Sequence, residues 1–395
     1  MKKILIISQG YWPEVFPINT IVNQLSKSKF KIDVLTGYPN YPKGLFYRGF
    51  NPYKVTINKL FKHRIVRVPI IPRGVKSKIG IILNYLSFII SSIIFGSFYL
   101  RKEKYDIILV YATSPIFQSY IGIYFKFLKK AKLITWVQDL WPNVLKDTGI
   151  IKNFFLLNVI KLFVRNIYNA NDLLLAQSRS FKKDIIKISK TKVSILHNPG
   201  YSEKKKNYKV KFKKKINILY AGNIGNAQPW ENLLKFLKMK KLDNFKFTIC
   251  GEGQKYSFIK NYIKENKIKN ISLYGFLKNK KLENQYSKSN YLLVMLKSGT
   301  DLSKTIPSKF QTYLFYGKPI LALNDGEVYK FVKDFNLGFA SKPNNLIEYE
   351  NVFKTMQKIK KNQYHKISKN IRSFYLKNFS QKVINKKLIN EINKI

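Results

Sequence analysis

The chain has 395 residues, 45% of them hydrophobic, so it is long enough for two ordinary domains and can fill a core in each. Its one cysteine, Cys250, permits no internal disulfide and suits a reducing compartment; its histidines, His63, His197 and His365, lie too far apart for a Cys/His zinc site. With 73 Lys and Arg against 21 Asp and Glu the formal charge is +52, a field that attracts nucleic acid, anionic lipid or nucleotide sugars, although lysine and asparagine abound together and part of the charge is compositional bias.

The first residues, MKKILIISQG, set two lysines before an apolar run that ends at Ser8. The run is too short for a secretory signal and predicts a first buried strand. Further strand-length apolar runs follow at 31–36, 65–70, 105–111, 133–137, 173–177 and 193–197, with amphipathic segments such as 18–28 and 117–129 between them. Nearly continuous apolar strands separated by helices predict a parallel sheet covered on both faces. Residues 79–100 interrupt the pattern with 22 uncharged positions, the length of a membrane span. They sit between strands that should share one sheet, and Asn84 and several serines dilute them. A helix dipping into the membrane interface, a buried helix and a span are all open. The flanking Arg73, Lys76, Lys78, Arg101, Lys102 and Lys104 suit anionic headgroups.

Residues 203–215, EKKKNYKVKFKKK, carry no apolar period and read as a linker. The alternation then restarts at 216–221, 245–250, 271–274, 291–295, 319–323 and 337–340, and the chain closes on a basic helical stretch, 370–395. The fold class expected is therefore α/β, with two Rossmann-like doubly wound parallel-sheet domains.

Ligands of open parallel sheets bind beyond the carboxyl ends of the strands. After 216–221 come Gly222, Asn223, Gly225 and Gln228, and then Pro229 opens a helix; glycines let backbone approach a phosphate, and a helix start points free N–H groups at it. After 245–250 come Gly251 and Gly253, a second turn of this kind. A tight turn with nothing bound is the competing reading of each. Neither turn completes a dinucleotide fingerprint or a P-loop. Ser308 reads as an N-cap, with Lys309 in the first helical turn, where a cation opposes the helix dipole unless an anion is near. In the first half, Asp139 lies between Trp136 and Trp141, either as an N-cap before Pro142 or as a polar site residue at a sugar-binding edge. The rigid aromatic loop with Tyr38, Asn40 and Tyr41 suits an acceptor, lipid, or its own sheet. No Asp-x-Asp pair is present, which favours phosphate binding by backbone and lysine and predicts activity with no metal.

These residues resemble glycosyltransferase family 4, above all its capsule and O-antigen transferases for N-acetylated deoxyhexosamines of the fucosamine type. The likeness runs over nearly the whole chain and rests on 36–42 (TGYPNYP), 136–142 (WVQDLWP), 221–228 (AGNIGNAQ), 306–309 (IPSK), 317–322 (GKPILA) and 326–327 (GE). It implies a GT-B fold whose two domains face a cleft, a UDP-linked nucleotide-sugar donor, a retaining outcome and no cofactor. The implied partners are a polyprenyl-diphosphate-linked sugar acceptor and the anionic surface of the bacterial inner membrane on its cytoplasmic side, with no nucleic acid. By the same resemblance, the turn from Gly222 to Gln228 and Lys309 hold the donor diphosphate, Gly275, Phe276 and Leu277 border the base, and Glu327 faces the donor sugar or ribose. Asp139, placed after a strand, is the catalytic candidate that would position the acceptor or support the developing charge. The family's two glutamates eight positions apart are missing: Thr312 stands at the later position, and the earlier falls near Lys304. Asn223, Ala227 and Gln228 stand where an arginine and a lysine are usual.

The domains expected are 1–200 for the acceptor, 201–370 for the donor and 371–395 as a helix returning to the first. The rivals are a nucleotide-sugar epimerase of similar fold, which needs no membrane, and a basic nucleic-acid-binding protein, which would show a basic stripe interleaved with aromatics.

Overall fold

A computed structural model of the chain describes every residue except 61, 76, 148, 201–209 and 241, and every side chain except those and 60, 78 and 279. Most of the expected linker, 203–209, lies outside the described residues, as do Lys76 and the side chain of Lys78. The chain divides into two compact units, Met1–Pro199 with Ile384–Ile395, and Gly200–Val383.

The first unit runs β1 (Lys3–Ile7), α1 (Pro17–Leu25), β2 (Lys31–Gly37), β3 (Thr56–Leu60), β4 (His63–Val68), α2 (Lys78–Tyr99), β5 (Ile107–Ala112), α3 (Ser119–Lys129), β6 (Lys132–Val137), α4 (Asn143–Asp147), α5 (Phe154–Asn169), β7 (Leu173–Ala176), α6 (Arg179–Ile185) and β8 (Val193–Ile195). Its strands lie in the order β3-β4-β2-β1-β5-β6-β7-β8, parallel except for the β3–β4 hairpin. The order reverses between β1 and β5, and that switch point opens a crevice at the strands' carboxyl ends. Alternation does the rest: Leu5 and Ile7 enter the core under one face of the sheet, Ile4 and Ile6 the core under the other. The hairpin strand β3 was not expected, because its sequence TINKL is mostly polar and sits at an edge.

The second unit continues with β9 (Ile216–Ala221), α7 (Trp230–Met239), β10 (Phe245–Cys250), α8 (Tyr256–Glu265), β11 (Ile271–Tyr274), α9 (Asn279–Lys288), β12 (Tyr291–Met295), α10 (Ser308–Tyr316), β13 (Ile320–Leu323), α11 (Glu327–Asp334), β14 (Gly338–Ser341), α12 (Leu346–Lys358) and α13 (Lys361–Asn378). Its all-parallel order, β11-β10-β9-β12-β13-β14, is that of the dinucleotide-binding fold, with the switch point between β9 and β12.

The closing basic stretch is two helices, not one. Helix α13 buries Ile371, Phe374 and Tyr375 in the second unit, whereas Ile384, Leu388 and Ile392 of α14 (Gln381–Asn393) join the core of the first. Residues 371–383 thus belong with the second unit, because α13's apolar face extends into its core.

Residues 79–99 lie in α2, which packs on the first sheet, and Leu100 is its C-cap. Asn84, Phe88, Ser92 and Gly96, spaced every four residues, face inward and are buried. A side chain at Gly96 would strike Phe125 at 2.9 Å, so glycine is what lets the helix sit this close. The opposite face exposes Ile79, Ile82, Leu83, Leu86, Ile90, Ile94 and Phe98. The buried-helix reading is therefore corrected: although α2 is long and apolar enough to cross a membrane, only 22% of its apolar window is covered. Helices α2, α3 and α5 pack side by side, and α5 adds exposed Phe154, Phe155, Leu162 and Phe163.

Candidate active site

In the second unit the two glycine turns interlock beyond β9 and β10. Gly222 N–H donates to the Cys250 carbonyl at 3.0 Å and Ile224 N–H to that of Glu252 at 2.8 Å. Gly222, Gly251 and Gly253 all have left-handed φ, at 143°, 143° and 149°. A Cβ on Gly251 would lie 1.9 Å from the Gly222 carbonyl oxygen, and one on Gly253 would lie 2.4 Å from that of Ile224. Backbone passes against backbone here, which only glycine permits.

Gly225 differs. A Cβ there would meet the tip of the Asn223 side chain at 2.7 Å, and its φ is ordinary. Its N–H donates to Gln228 Oε1 at 2.9 Å, and both residues are buried. Of the expected donor residues, Gly222 and Asn223 are exposed while Gly225 and Gln228 close the turn from inside.

Helix α10 begins at Ser308, with Pro307 at the N-cap and no side chain capping it. The expectation that Ser308 is the N-cap is thus corrected: proline holds that position, and the first amides keep their donors free of a side-chain cap. Lys309 runs back over the glycine turn. Its Nζ lies 3.9 Å from the centre of the Tyr220 ring, donates to the Tyr220 hydroxyl, and would lie 3.3 Å from a Cβ on Gly222. Burial pushes the Lys309 ammonium down to about 7. The floor is rigid: Tyr313 Oη accepts Ala221 N–H at 2.9 Å, and Tyr220 packs edge-on against Trp230. Burial also pushes the neighbouring Cys250 thiol up to about 11, which leaves it inert.

Other expected donor residues follow successive strands at the same carboxyl edge. Phe276 is exposed after β11, its N–H facing Glu252 Oε1 at 3.3 Å, with Leu277 half-buried beside it. Glu327 opens α11 after β13 and is buried. The 317–322 motif is scaffold rather than site. Gly317 ends α10 at φ 67°, and buried Lys318 donates to the carbonyls of Tyr286, Ser287 and Ser289 at the end of α9.

In the first unit, Asp139 Oδ2 accepts the N–H of Ser114 at 3.0 Å and its hydroxyl at 2.7 Å. Helix α4 starts only at Asn143, so the N-cap reading of Asp139 is corrected: its carboxylate fixes the neighbouring strand's loop. Burial raises its pKa, and the Ser114 hydrogen bonds oppose that. Trp141 Nε1 donates to Ser114 Oγ at 3.1 Å and the ring packs on Phe117. Tyr38 is a second correction. It is buried in the core, with its hydroxyl donating to the Lys54 carbonyl at 2.7 Å and lying 3.1 Å from the Thr56 hydroxyl, so it is no ligand contact.

Asn40 and Tyr41 do line a pocket of about 220 Å³ at the switch point, with Gln9, Glu14, Arg73, Asn84, Tyr85 and Ser114. Glu14 is buried, which raises its pKa, and its Oε1 accepts the amides of Asn40 and Tyr41 at 2.7 and 2.6 Å. Asn84 Oδ1 accepts Gln9 Nε2 at 2.7 Å. Sequence reasoning missed Glu14, Gln9 and Tyr85, and assigned Arg73 to lipid headgroups without placing it in this pocket. The available signal was position: Gln9 and Glu14 follow the first strand, and Glu14 is a scarce acid in a basic chain. Among the described residues no group of three His, Cys, Asp or Glu could hold a metal ion.

Residues 202–374 match the family model described as Glycosyl transferases group 1. The chain is 23% identical over 266 residues to the probable glycosyltransferase WbjE of Pseudomonas aeruginosa, a match covering 62% of this chain and 64% of that protein. It is also 23% identical over 185 residues to an uncharacterized 41.2 kDa protein in the cps region of Klebsiella pneumoniae, covering 43% of this chain and 45% of that protein. The matches thus span about half to two thirds of these relatives. Among solved structures, sucrose-phosphate synthase from Thermosynechococcus elongatus superposes with a TM-score of 0.70 at 14% identity, covering 100% of this chain and 99% of that one. Anabaena HepE in complex with UDP and glucose gives 0.66 at 12% identity, with 100% of both chains covered. The chain thus has the GT-B fold, and its residues 202–374 are similar to the glycosyl transferases group 1 domain.

Proposed function

We propose that this chain is a retaining glycosyltransferase that moves a sugar from a UDP-linked donor to a lipid-linked saccharide in bacterial surface polysaccharide synthesis. The observation that carries the reading is the interlocked glycine turn under Lys309. In the transfer, the bond from the sugar's anomeric carbon to the diphosphate breaks, a bond to an acceptor hydroxyl oxygen forms, and the hydroxyl proton leaves to a diphosphate oxygen. Lys309 and the free amides of α10 stabilise the charge that gathers on the leaving diphosphate. The nature of the relatives supports the polysaccharide context, and the resemblance in sequence supports an N-acetylated deoxyhexosamine as the sugar. Asp139, through Ser114, positions the acceptor. A donor panel incubated with membrane extract tests the reading: UDP release with label in lipid supports it, and epimerised free sugar without transfer overturns it. Asp139→Asn is expected to lower turnover at least tenfold with donor affinity within about twofold, since one charged hydrogen bond contributes roughly 1.5–3 kcal/mol; product formation and calorimetry check the two halves.

The enzyme works peripherally on the cytoplasmic face of the inner membrane, through the exposed stripe of α2 extended by α5. Contiguous apolar surface of this kind marks a lipid or protein contact, and Arg101, Lys102 and Lys104 beside it suit anionic headgroups. The double variant Ile82→Glu, Ile90→Glu is expected to bind vesicles containing phosphatidylglycerol at least tenfold more weakly, given roughly 1.5–3 kcal/mol per isoleucine withdrawn from water. Flotation reads the change, and unaltered flotation contradicts the placement of the membrane face.

A further inference from the structure

The switch-point pocket of the first unit has one cation in its lining, Arg73, and we propose that Arg73 binds the diphosphate joining the acceptor sugar to its lipid carrier. The inference rests on the reading of the chain as a transferase to a lipid-linked acceptor, and it names the group by which that acceptor is recognised.

The Arg73 guanidinium lies 5.1 Å from the centre of the Tyr41 ring and 5.2 Å from that of Tyr85. Its Nε faces Asn84 Oδ1 at 3.4 Å. Arg64 of the same unit is instead ion-paired, with Asp33 and Glu103. Glu14, the carboxylate among the lining residues, has Oε1 tied to the wall by the amides of Asn40 and Tyr41. Arg73 is thus held in place by two rings and an amide and feels the charge of Glu14 across the pocket, while among the described residues no hydrogen bond takes its planar Nη fork. That fork matches two phosphate oxygens, and a partly desolvated site strengthens such a contact.

Helix α2 supplies the second half of the argument. Asn84 and Tyr85 line the pocket, while Ile79, Ile82, Leu83 and Leu86 on the same turns are exposed and apolar. Residues 79–86 span about 10 Å of helix. A lipid diphosphate places its charge directly beside its hydrocarbon chain, and this short length of helix offers the Arg73 pocket on one side and an apolar stripe on the other.

The test titrates the full chain with geranyl diphosphate by calorimetry, with saturating UDP to occupy the second unit. The parent is expected to bind, Arg73→Ala to bind tenfold to a hundredfold more weakly, and Arg73→Lys to fall between them because a point charge replaces the fork. In transfer assays Arg73→Ala is expected to raise KM by the same factor for a sugar on a lipid diphosphate. KM for the same sugar on an uncharged alkyl glycoside stays within twofold, as do kcat and donor KM. Equal geranyl diphosphate binding by parent and Arg73→Ala, no binding by the parent, or an equal KM rise for both acceptors overturns the proposal. Arg73-dependent binding of geranyl diphosphate in a chain that transfers no sugar supports this site and overturns the transferase reading instead.

Discussion

Lys309→Met is expected to weaken binding of a UDP-sugar about tenfold to a hundredfold and, at the same time, to make the protein more stable. The first effect is the loss of a charged contact to diphosphate, roughly 1.5–3 kcal/mol. The second comes from the cost of the site when nothing is bound. Burial lowers the Lys309 pKa from the ordinary 10.5 to about 7, so the folded state resists carrying the charge. The unfolded chain binds the proton more tightly, and parent stability therefore rises with pH between about 7 and 10.5 from this group. At pH 7 and below the full penalty is present. The methionine variant is free of it, so its advantage in melting temperature should be largest at pH 6 and fade toward pH 10. Donor affinity carries the opposite dependence. The ammonium is the binding form, so parent affinity falls as pH rises above about 7, while that of Lys309→Met stays flat. Calorimetry with a UDP-sugar at pH 6, 7.5 and 9, beside thermal melts, reads both. Donor binding equal to the parent's at pH 6 would remove Lys309 from the diphosphate site.

Gly251→Ala is expected to abolish measurable donor binding and lower the melting temperature by several degrees, although it adds one methyl group. That methyl would stand 1.9 Å from the Gly222 carbonyl oxygen, at a φ of 143° that disfavours any side chain. The obstacle is main chain of the adjoining turn, which moves only if β9 and β10 part at their ends. Backbone strain of this kind costs about 1–3 kcal/mol. Relief of it displaces Gly222 from beneath Lys309. Gly225→Ala supplies the contrast: it meets the tip of a flexible asparagine at an ordinary φ and should leave affinity within about threefold. Calorimetry and thermal melts on the two alanine variants measure the difference, and similar behaviour of both would show that the close passage of the two turns is not what shapes the site.

The sequence by itself determined the two parallel sheets, because a strand buried on both faces must be apolar at nearly every position, as in KILII of β1 and YLLVM of β12. It also located the glycine turns, which follow strands and where main chain passes against main chain with no room for side chains. What it left open was decided by packing between distant segments. Helix α2 reads as uniformly apolar, and only contact with the sheet makes Asn84 and Gly96 its inner face and Ile90 its outer one. The tyrosine at 38 and the one at 41 look alike in an aromatic loop. The fold buries Tyr38 beneath Lys54 and Thr56 and turns Tyr41 toward Arg73. Glu14, Asn40, Arg73 and Asn84 are spread over some seventy positions of sequence and share no local pattern. They form one pocket because β1, β2 and α2 end or begin at the same switch point, a coincidence in space that the order of strands creates and that no local period encodes.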